Sequence, residues 1–258
     1  MMPLNDRFDL ARFFARLRAA RERVLLLDYD GTLAPFHMDP RLALPYPNVC
    51  TVLRRVLAVP RTRIVIVSGR RIEDLRAPLA MVPHTEVWAS HGWEWISRGG
   101  FDRHTPAAHV RDALASARAA VLPLLVPGTR LETKLASVAL HWRGMPSRAA
   151  ARIHAAALEA WEAFAKSDLV LLPFDNGLEI RALGHDKGDA VRAAIATAGE
   201  DAACAYLGDD FTDEDAFRAI RPHGLGVLVR EQPRKTDADL WLSRPHEVTT
   251  FLERWAIA

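Results

Sequence analysis

Near the start of the chain an apolar run, Val24-Leu25-Leu26-Leu27, stops abruptly at Asp28-Tyr29-Asp30-Gly31-Thr32. No other stretch constrains the fold so tightly. The run reads as a strand buried on both faces, the mark of a parallel sheet with helices on each side. Two carboxylates one residue apart at the end of such a strand are costly unless a cation or a reaction engages them. The glycine permits a sharp turn and a close backbone approach to a ligand. In open α/β sheets, ligands bind at the carboxyl ends of the strands. Asp28 and Asp30 are therefore candidates for a reactive pair, and their partners must come from elsewhere in the chain.

The periodicity around this strand supplies the frame. Phe8, Leu10, Phe13, Phe14 and Leu17 share a helical face, which predicts a helix capped by Asn5 or Asp6 and running to about Arg23. Pro40, Pro45 and Pro47 mark a loop. A helix over about 48–59 leads to a strand, 63–67, that ends at Ser68-Gly69-Arg70. A third apolar segment, 86–89, ends at Ser90-His91-Gly92. This β-α-β-α-β order predicts a doubly wound parallel sheet.

The pattern then changes. Residues 94–104 read as a hairpin leaving the core, and an Ala-rich helix follows over 107–125. The run from Glu132 to Trp142 alternates like one half-buried strand. A second Ala-rich helix to about Lys166 and a strand pair over 169–182 complete the insert. The core resumes at His185-Asp186-Lys187-Gly188 with a helix to about Gly199, a buried strand over 203–207, short strands near 225–230 and 239–242, and a helix over 246–256. The expected architecture is α/β. Residues 1–104 and 185–258 form a doubly wound parallel sheet, with an inserted smaller α+β cap at 105–184.

Composition narrows the partners. A net charge of +2 on 258 residues is too small to argue for nucleic acid or an acidic membrane surface. Thirty Arg stand against four Lys, so a Lys inside a motif carries unusual weight. Cys50 and Cys204 lie far apart and in no metal-ligand spacing, which predicts a buried, reduced pair. No secretory signal and no run of membrane-spanning length is read, so a cytoplasmic protein is expected.

Four strand ends or helix starts now offer polar groups: Asp28 with Asp30, Ser68, Lys187, and Asp209 with Asp210 and Asp213. A doubly wound sheet brings them to one edge. The carboxylates suit a hard cation such as Mg2+. Lys187 and Ser68 suit an anion. A phosphoryl group satisfies both halves, and a carboxylate attacking phosphorus gives an aspartyl-phosphate. Asp210 and Asp215 read as helix N-terminal charges.

The ordered motifs DYDGT, VIVSGR, HDKG and GDDFTDED resemble the four motifs of the haloacid dehalogenase superfamily of phosphohydrolases. With LLLDYDGTLAP, SHGWE, ETKLASVALHWR, LEIRALGHDKG and GDDFTDEDAF, the chain is similar, over about 24–220, to the trehalose-6-phosphate phosphatase family within it. The resemblance implies a Mg2+-dependent phosphatase acting on a small-molecule sugar phosphate, with neither nucleic acid nor membrane as a partner. It implies Asp28 as nucleophile, Asp30 as proton carrier, and Ser68 with Lys187 as phosphoryl ligands. Asp28, the Asp30 carbonyl and Asp209 would ligate the metal, and Asp213 would orient the site. In the cap, Glu132, Lys134, Arg143 and Glu179 match positions that grip a disaccharide.

Ala182 departs from a proline frequent in the family, and the chain after about 222 matches poorly. Two other readings stay open: a phosphatase for another sugar phosphate, of the glucosyl- or mannosyl-glycerate type, and a non-enzymatic phospho-receiver. Glu132 and Lys134 also fit a solvated ion pair, His141 and Trp142 fit packing, and His91 fits a polar core position. The oligomeric state is not fixed by the sequence.

Overall fold

A computed structural model describes residues 1–5, 8–37, 42–80, 82, 85–97, 99–166 and 168–258. Asp6 and Pro40 lie outside the described residues. The chain divides into two compact units, Met1–Asp102 with Asp186–Ala258, and Arg103–His185.

The first unit is built on the apolar run. In chain order it contains β1 (Met2–Pro3), α1 (Leu10–Ala19), β2 (Arg23–Asp28), α2 (Pro47–Leu57), β3 (Thr62–Val67), α3 (Ile72–Leu79), β4 (Glu86–Ala89), β5 (Glu94–Ser97) and β6 (Gly100–Arg103). Strand β2 is buried along its whole length. Leu25 and Leu27 pack on one side with Phe14 of α1, Val52 of α2 and Leu75 of α3. Val24 and Leu26 pack on the other side. That two-sided burial is why β2 shows no alternation.

The second unit comprises α4 (Ala108–Ala120), β7 (Arg130–Thr133), β8 (Ser137–His141), α5 (Ser147–Glu162), β9 (Leu169–Phe174) and β10 (Gly177–Ala182). The chain then returns to the first unit with α6 (Lys187–Ala196), β11 (Ala203–Gly208), α7 (Glu214–Ile220), β12 (Gly224–Val229), β13 (Leu240–Leu242) and α8 (His246–Ala256). Val191 of α6 and Phe217 of α7 cover Val24 and Leu26.

The described core sheet runs β1-β13-β12-β11-β2-β3-β4-β5-β6. Its centre is parallel, with β2 between β11 and β3. The doubly wound α/β expectation therefore holds, with antiparallel strands added at both edges of the described sheet. β1 lies antiparallel to β13, and β5 antiparallel to β4. The 94–104 hairpin does not leave the core but extends its sheet, because Trp88 and Trp95 meet in register and stack at 5.1 Å.

Helix α1 also differs from expectation. It begins at Leu10 and ends at Ala19, and its cap is Asp9, whose carboxylate accepts from the N–H groups of Ala11 and Arg12 at 2.8 and 3.0 Å. Among the described residues, no helix is long and apolar enough to cross a membrane. Cys50 and Cys204 are buried free thiols.

The second unit has a four-stranded antiparallel sheet, β7-β8-β10-β9. The stretch from Glu132 to Trp142 is two strands rather than one, joined by a turn closed by the Lys134 N–H on the Ser137 carbonyl at 2.9 Å. The cause is a phase slip. Apolar residues fall on odd positions at Leu131 and Leu135, then on even ones at Val138, Leu140 and Trp142. A one-residue slip sends an unbroken strand's apolar side to the wrong face, so the chain turns instead. Helices α4 and α5 lie against this sheet. They are tied together by the Trp161 indole N–H on the Ala117 carbonyl at 2.8 Å.

Candidate active site

The winding of the core reverses between β2 and β11, which are parallel neighbours. That reversal opens the crevice where doubly wound sheets bind ligands. Asp28 is the last residue of β2, and Asp209 directly follows β11. Lys187 opens α6 behind the Asp186 cap, which fixes the direction in which the side chain leaves the helix. Its Nζ donates to Asp28 Oδ1 at 2.8 Å and to Asp213 Oδ1 at 2.7 Å. All three groups are almost fully buried, with at most 4% of either the Lys187 or the Asp28 side chain exposed.

Asp213 has no lone pair to spare. Its Oδ1 accepts from Lys187 and from the Tyr206 hydroxyl, and its Oδ2 accepts from the N–H groups of Asp209 and Asp210, both at 2.9 Å. Four acceptances fill a carboxylate. Asp28, Asp209 and Asp213 each present an oxygen within 4.8 Å of the others, a group that could hold a metal ion. Because Asp213 is saturated, Asp28 and Asp209 are the better ligands. Asp210 caps the turn that follows, accepting from the Phe211 N–H at 2.7 Å.

Three buried acids face one buried ammonium, and the Arg244 guanidinium stands 3.5 Å from Asp209. The remaining negative charge is expensive in a dry crevice. Burial, with Asp213 adding repulsion against the pull of Lys187, pushes the Asp28 carboxyl up to about 7. Burial and three neighbouring acids, Asp28, Asp213 and Asp210, raise Asp209 well above the ordinary carboxylate range. A divalent cation bound here would offset this charge, and the all-oxygen donor set suits a hard one. Gly31, at φ +82°, completes the cradle: a Cβ there would sit 2.0 Å from Asp209 Oδ2.

The side chain of Asp30 is turned to a different partner. Arg70 Nε and Nη2 donate to its two oxygens at 2.7 and 2.6 Å. The guanidinium, in turn, lies 4.7 Å from the centre of the Tyr29 ring. Ser68 is buried at the end of β3, and its hydroxyl oxygen accepts from the Arg70 N–H at 3.2 Å. Its own O–H remains a donor. His91, buried at φ +55°, packs over Gly69, where a Cβ would lie 2.5 Å from His91 Nε2.

In the second unit, Glu132 and Glu179 flank Ala139 in one row across the sheet. Lys134 reaches both, at 3.4 Å from Glu132 and 4.0 Å from Glu179. His141 Nε2 meets Glu132 at 2.9 Å. Burial raises the Glu132 carboxyl, but Lys134, His141 and Arg130 outweigh it and hold the group well below its ordinary value. Arg143 is engaged separately, by the Asp175 side chain at 3.1 Å and its carbonyl at 2.9 Å. Three of the four expected cap residues therefore share a cluster, and the fourth is anchored to the β9–β10 turn.

Sequence reading missed Arg70, Tyr206 and the arginines near Asp209. Arg70 was visible as the third residue of Ser68-Gly69-Arg70, but nothing in the spacing said that it would reach Asp30. Tyr206 looked like an apolar strand residue.

The sheet wound in this order has the fold of a haloacid dehalogenase-like hydrolase from B. subtilis, which superposes with a TM-score of 0.58 over 89% of this chain and 98% of that one at 14% identity, a likeness of fold. The family model described as trehalose-phosphatase matches residues 26–245. The chain is 33% identical over 223 residues to the bifunctional trehalose-6-phosphate synthase/phosphatase of Thermoproteus tenax, covering 83% of this chain and 29% of that protein. It is 31% identical over 280 residues to probable trehalose-phosphate phosphatase 9 of Oryza sativa subsp. japonica, covering 95% of this chain and 73% of that one. The solved C-terminal domain of the C. albicans trehalose-6-phosphate phosphatase superposes with a TM-score of 0.84 over 99% of both chains, at 20% identity, a likeness of fold. This chain belongs to the trehalose-phosphatase family.

Proposed function

We propose that the protein is a Mg2+-dependent phosphatase that hydrolyses trehalose 6-phosphate to trehalose and phosphate through an aspartyl-phosphate on Asp28. The observation that carries this reading is the buried Asp28–Lys187–Asp213 chain at the reversal point of the sheet, in a chain of this family. Lys187 orients the Asp28 carboxylate toward phosphorus, and with the Ser68 hydroxyl it would hold the phosphoryl oxygens. Asp28 attacks, the phosphorus–oxygen bond to the sugar breaks, and Asp30 gives a proton to the leaving oxygen. A water then attacks the phosphorus of the aspartyl-phosphate, losing its proton to Asp30 and freeing Asp28.

Asp28, Asp209 and the Asp30 carbonyl would hold Mg2+, which when bound neutralises charge on the transferring group. Asp213 positions Lys187 and the Asp209 turn rather than ligating. Glu132, Lys134 and Glu179, with Arg143, are the cap groups that would read sugar hydroxyls, since hydroxyls are recognised by paired donors and acceptors. A cytoplasmic location fits two free thiols and a freely diffusing sugar phosphate substrate.

Phosphate release with Mg2+ across trehalose 6-phosphate, glucosyl- and mannosyl-glycerate phosphates and glucose 6-phosphate tests the reading. A clear preference for trehalose 6-phosphate is expected. Equal rates on all four would remove the disaccharide, and a stable phospho-Asp28 without phosphate release would remove the hydrolase.

A further inference from the structure

Read as sequence, the stretch after about residue 222 matches the family poorly, but the family model extends through it to residue 245, and it supplies three arginines to the turns that carry the acids. Arg230 Nη1 donates to the Asp209 carbonyl at 3.0 Å, and Arg234 Nη2 to the Asp210 carbonyl at 2.7 Å. Arg244 Nη1 donates to the Gly31 carbonyl at 2.9 Å and stands 3.5 Å from Asp209 Oδ2. Arg244 therefore touches both the turn after β2 and the turn after β11. Its guanidinium also lies 5.6 Å from the Phe36 ring.

We infer that Arg230 and Arg244 are positioning residues for the divalent-cation site: Arg244 clamps the Gly31 turn to Asp209, and Arg230 anchors the Asp209 backbone, so that the donors keep the separation a small cation requires. This inference rests on the reading above that Asp28, Asp209 and the Asp30 carbonyl hold that cation. The two turns press on one another at Gly31, where no Cβ fits against Asp209. A shift of either turn changes the spacing of the donors. Mg2+ tolerates little such change, because it demands near-octahedral ligands at about 2.1 Å. Anchoring the Gly31 carbonyl fixes the adjoining Asp30–Gly31 peptide, and anchoring the Asp209 carbonyl fixes the backbone beneath its carboxylate.

A guanidinium also carries charge, and that gives the inference a sign. If these arginines acted only as charges, they would repel a cation, and their removal would tighten its binding. If they position the ligands, removal weakens binding, by about 10-fold where outer partners orient a metal's ligands. The two roles predict opposite changes.

The test is calorimetric titration of the full chain with Mg2+ in the absence of substrate, comparing wild type, Arg230→Ala, Arg244→Ala and Arg244→Lys. Thermal melts of the metal-free proteins run alongside. About 10-fold weaker Mg2+ binding is expected for both alanine variants. A smaller loss is expected for Arg244→Lys, whose single ammonium keeps the charge and one carbonyl contact. If Arg244→Ala does not fold, Arg244→Lys and Arg230→Ala decide. Unchanged or tighter Mg2+ binding in folded variants overturns the clamp while leaving the metal site intact. A wild-type protein that binds no Mg2+ overturns the site and the clamp together.

Discussion

Arg70 grips both oxygens of Asp30 in a two-pronged ion pair. A fork of this kind fixes direction as well as charge, and lysine cannot reproduce it. The orientation of the Asp30 carboxylate is therefore set from the turn after β3, not by its own turn. Arg70→Lys should lower kcat about 10-fold on sugar phosphates, a fraction of the roughly 10²- to 10⁴-fold that a proton donor contributes. The loss should be small on p-nitrophenyl phosphate, whose leaving group departs without a proton. The ratio of kcat/KM values for the two substrates checks this; an equal loss on both would show that Arg70 acts only through the fold.

Asp28→Asn should reduce turnover by at least about 10⁴-fold, since the covalent step has no substitute nucleophile. Far-ultraviolet circular dichroism should be unchanged, because asparagine keeps the shape. Detectable phosphate release near the wild-type rate would refute covalent catalysis at this residue.

Lys187→Met tests the buried charges. Without the ammonium, Asp28 and Asp213 face each other uncompensated, and breaking a buried pair costs about 3–5 kcal/mol. The urea midpoint should fall accordingly, and Mg2+ should restore part of the loss by supplying positive charge. A midpoint within error of wild type would mean that the acids are already protonated in the folded protein.

The Glu132 cluster gives a pH dependence with a defined sign. Burial, which outweighs the pull of Glu132, holds His141 below its ordinary value, so the unfolded chain gains a proton there first as pH drops through about 6.5. Glu132 is held well below its own ordinary value, so its contribution is present above about pH 4.5 and is lost on further acidification. Both slopes run the same way: stability falls with acid. Melting temperatures from pH 8 to 4 should show that fall, and Glu132→Gln should flatten its lower limb. Parallel curves for the two proteins would contradict the assignment.

Much of this was legible in the sequence because the controlling signals are local. An unbroken apolar strand closed by Asp28 and Asp30 can sit only in a covered parallel sheet, and Lys187 stood out against a background of arginine. What escaped reading depends mostly on contacts across the chain. The Arg70–Asp30 pair and the arginines on Gly31 and Asp209 join distant segments, whereas the saturation of Asp213 by Tyr206 and two backbone N–H groups is a local fold of the β11 turn that no spacing announces. The β7–β8 turn is a different case: the phase slip between Leu135 and Val138 was visible, but alternation on either side masked it. Asp9 displaced Asn5 and Asp6 as the cap because only Asp9 directly precedes the first helical turn.

The pairing of β2 with β11 has a consequence for how the chain becomes active. Ala203 lines up with Arg23, so the two central strands are made far apart in time on the ribosome, with the whole second unit emerging between them. Closing so long a loop is slow and comes late in folding. Until it closes, β2 presents an unpaired apolar edge, and Asp28 lacks both Lys187 and Asp209. The seam that completes the core is thus the same one that brings Asp28 to Asp209, with Lys187 entering on the segment that leads into β11.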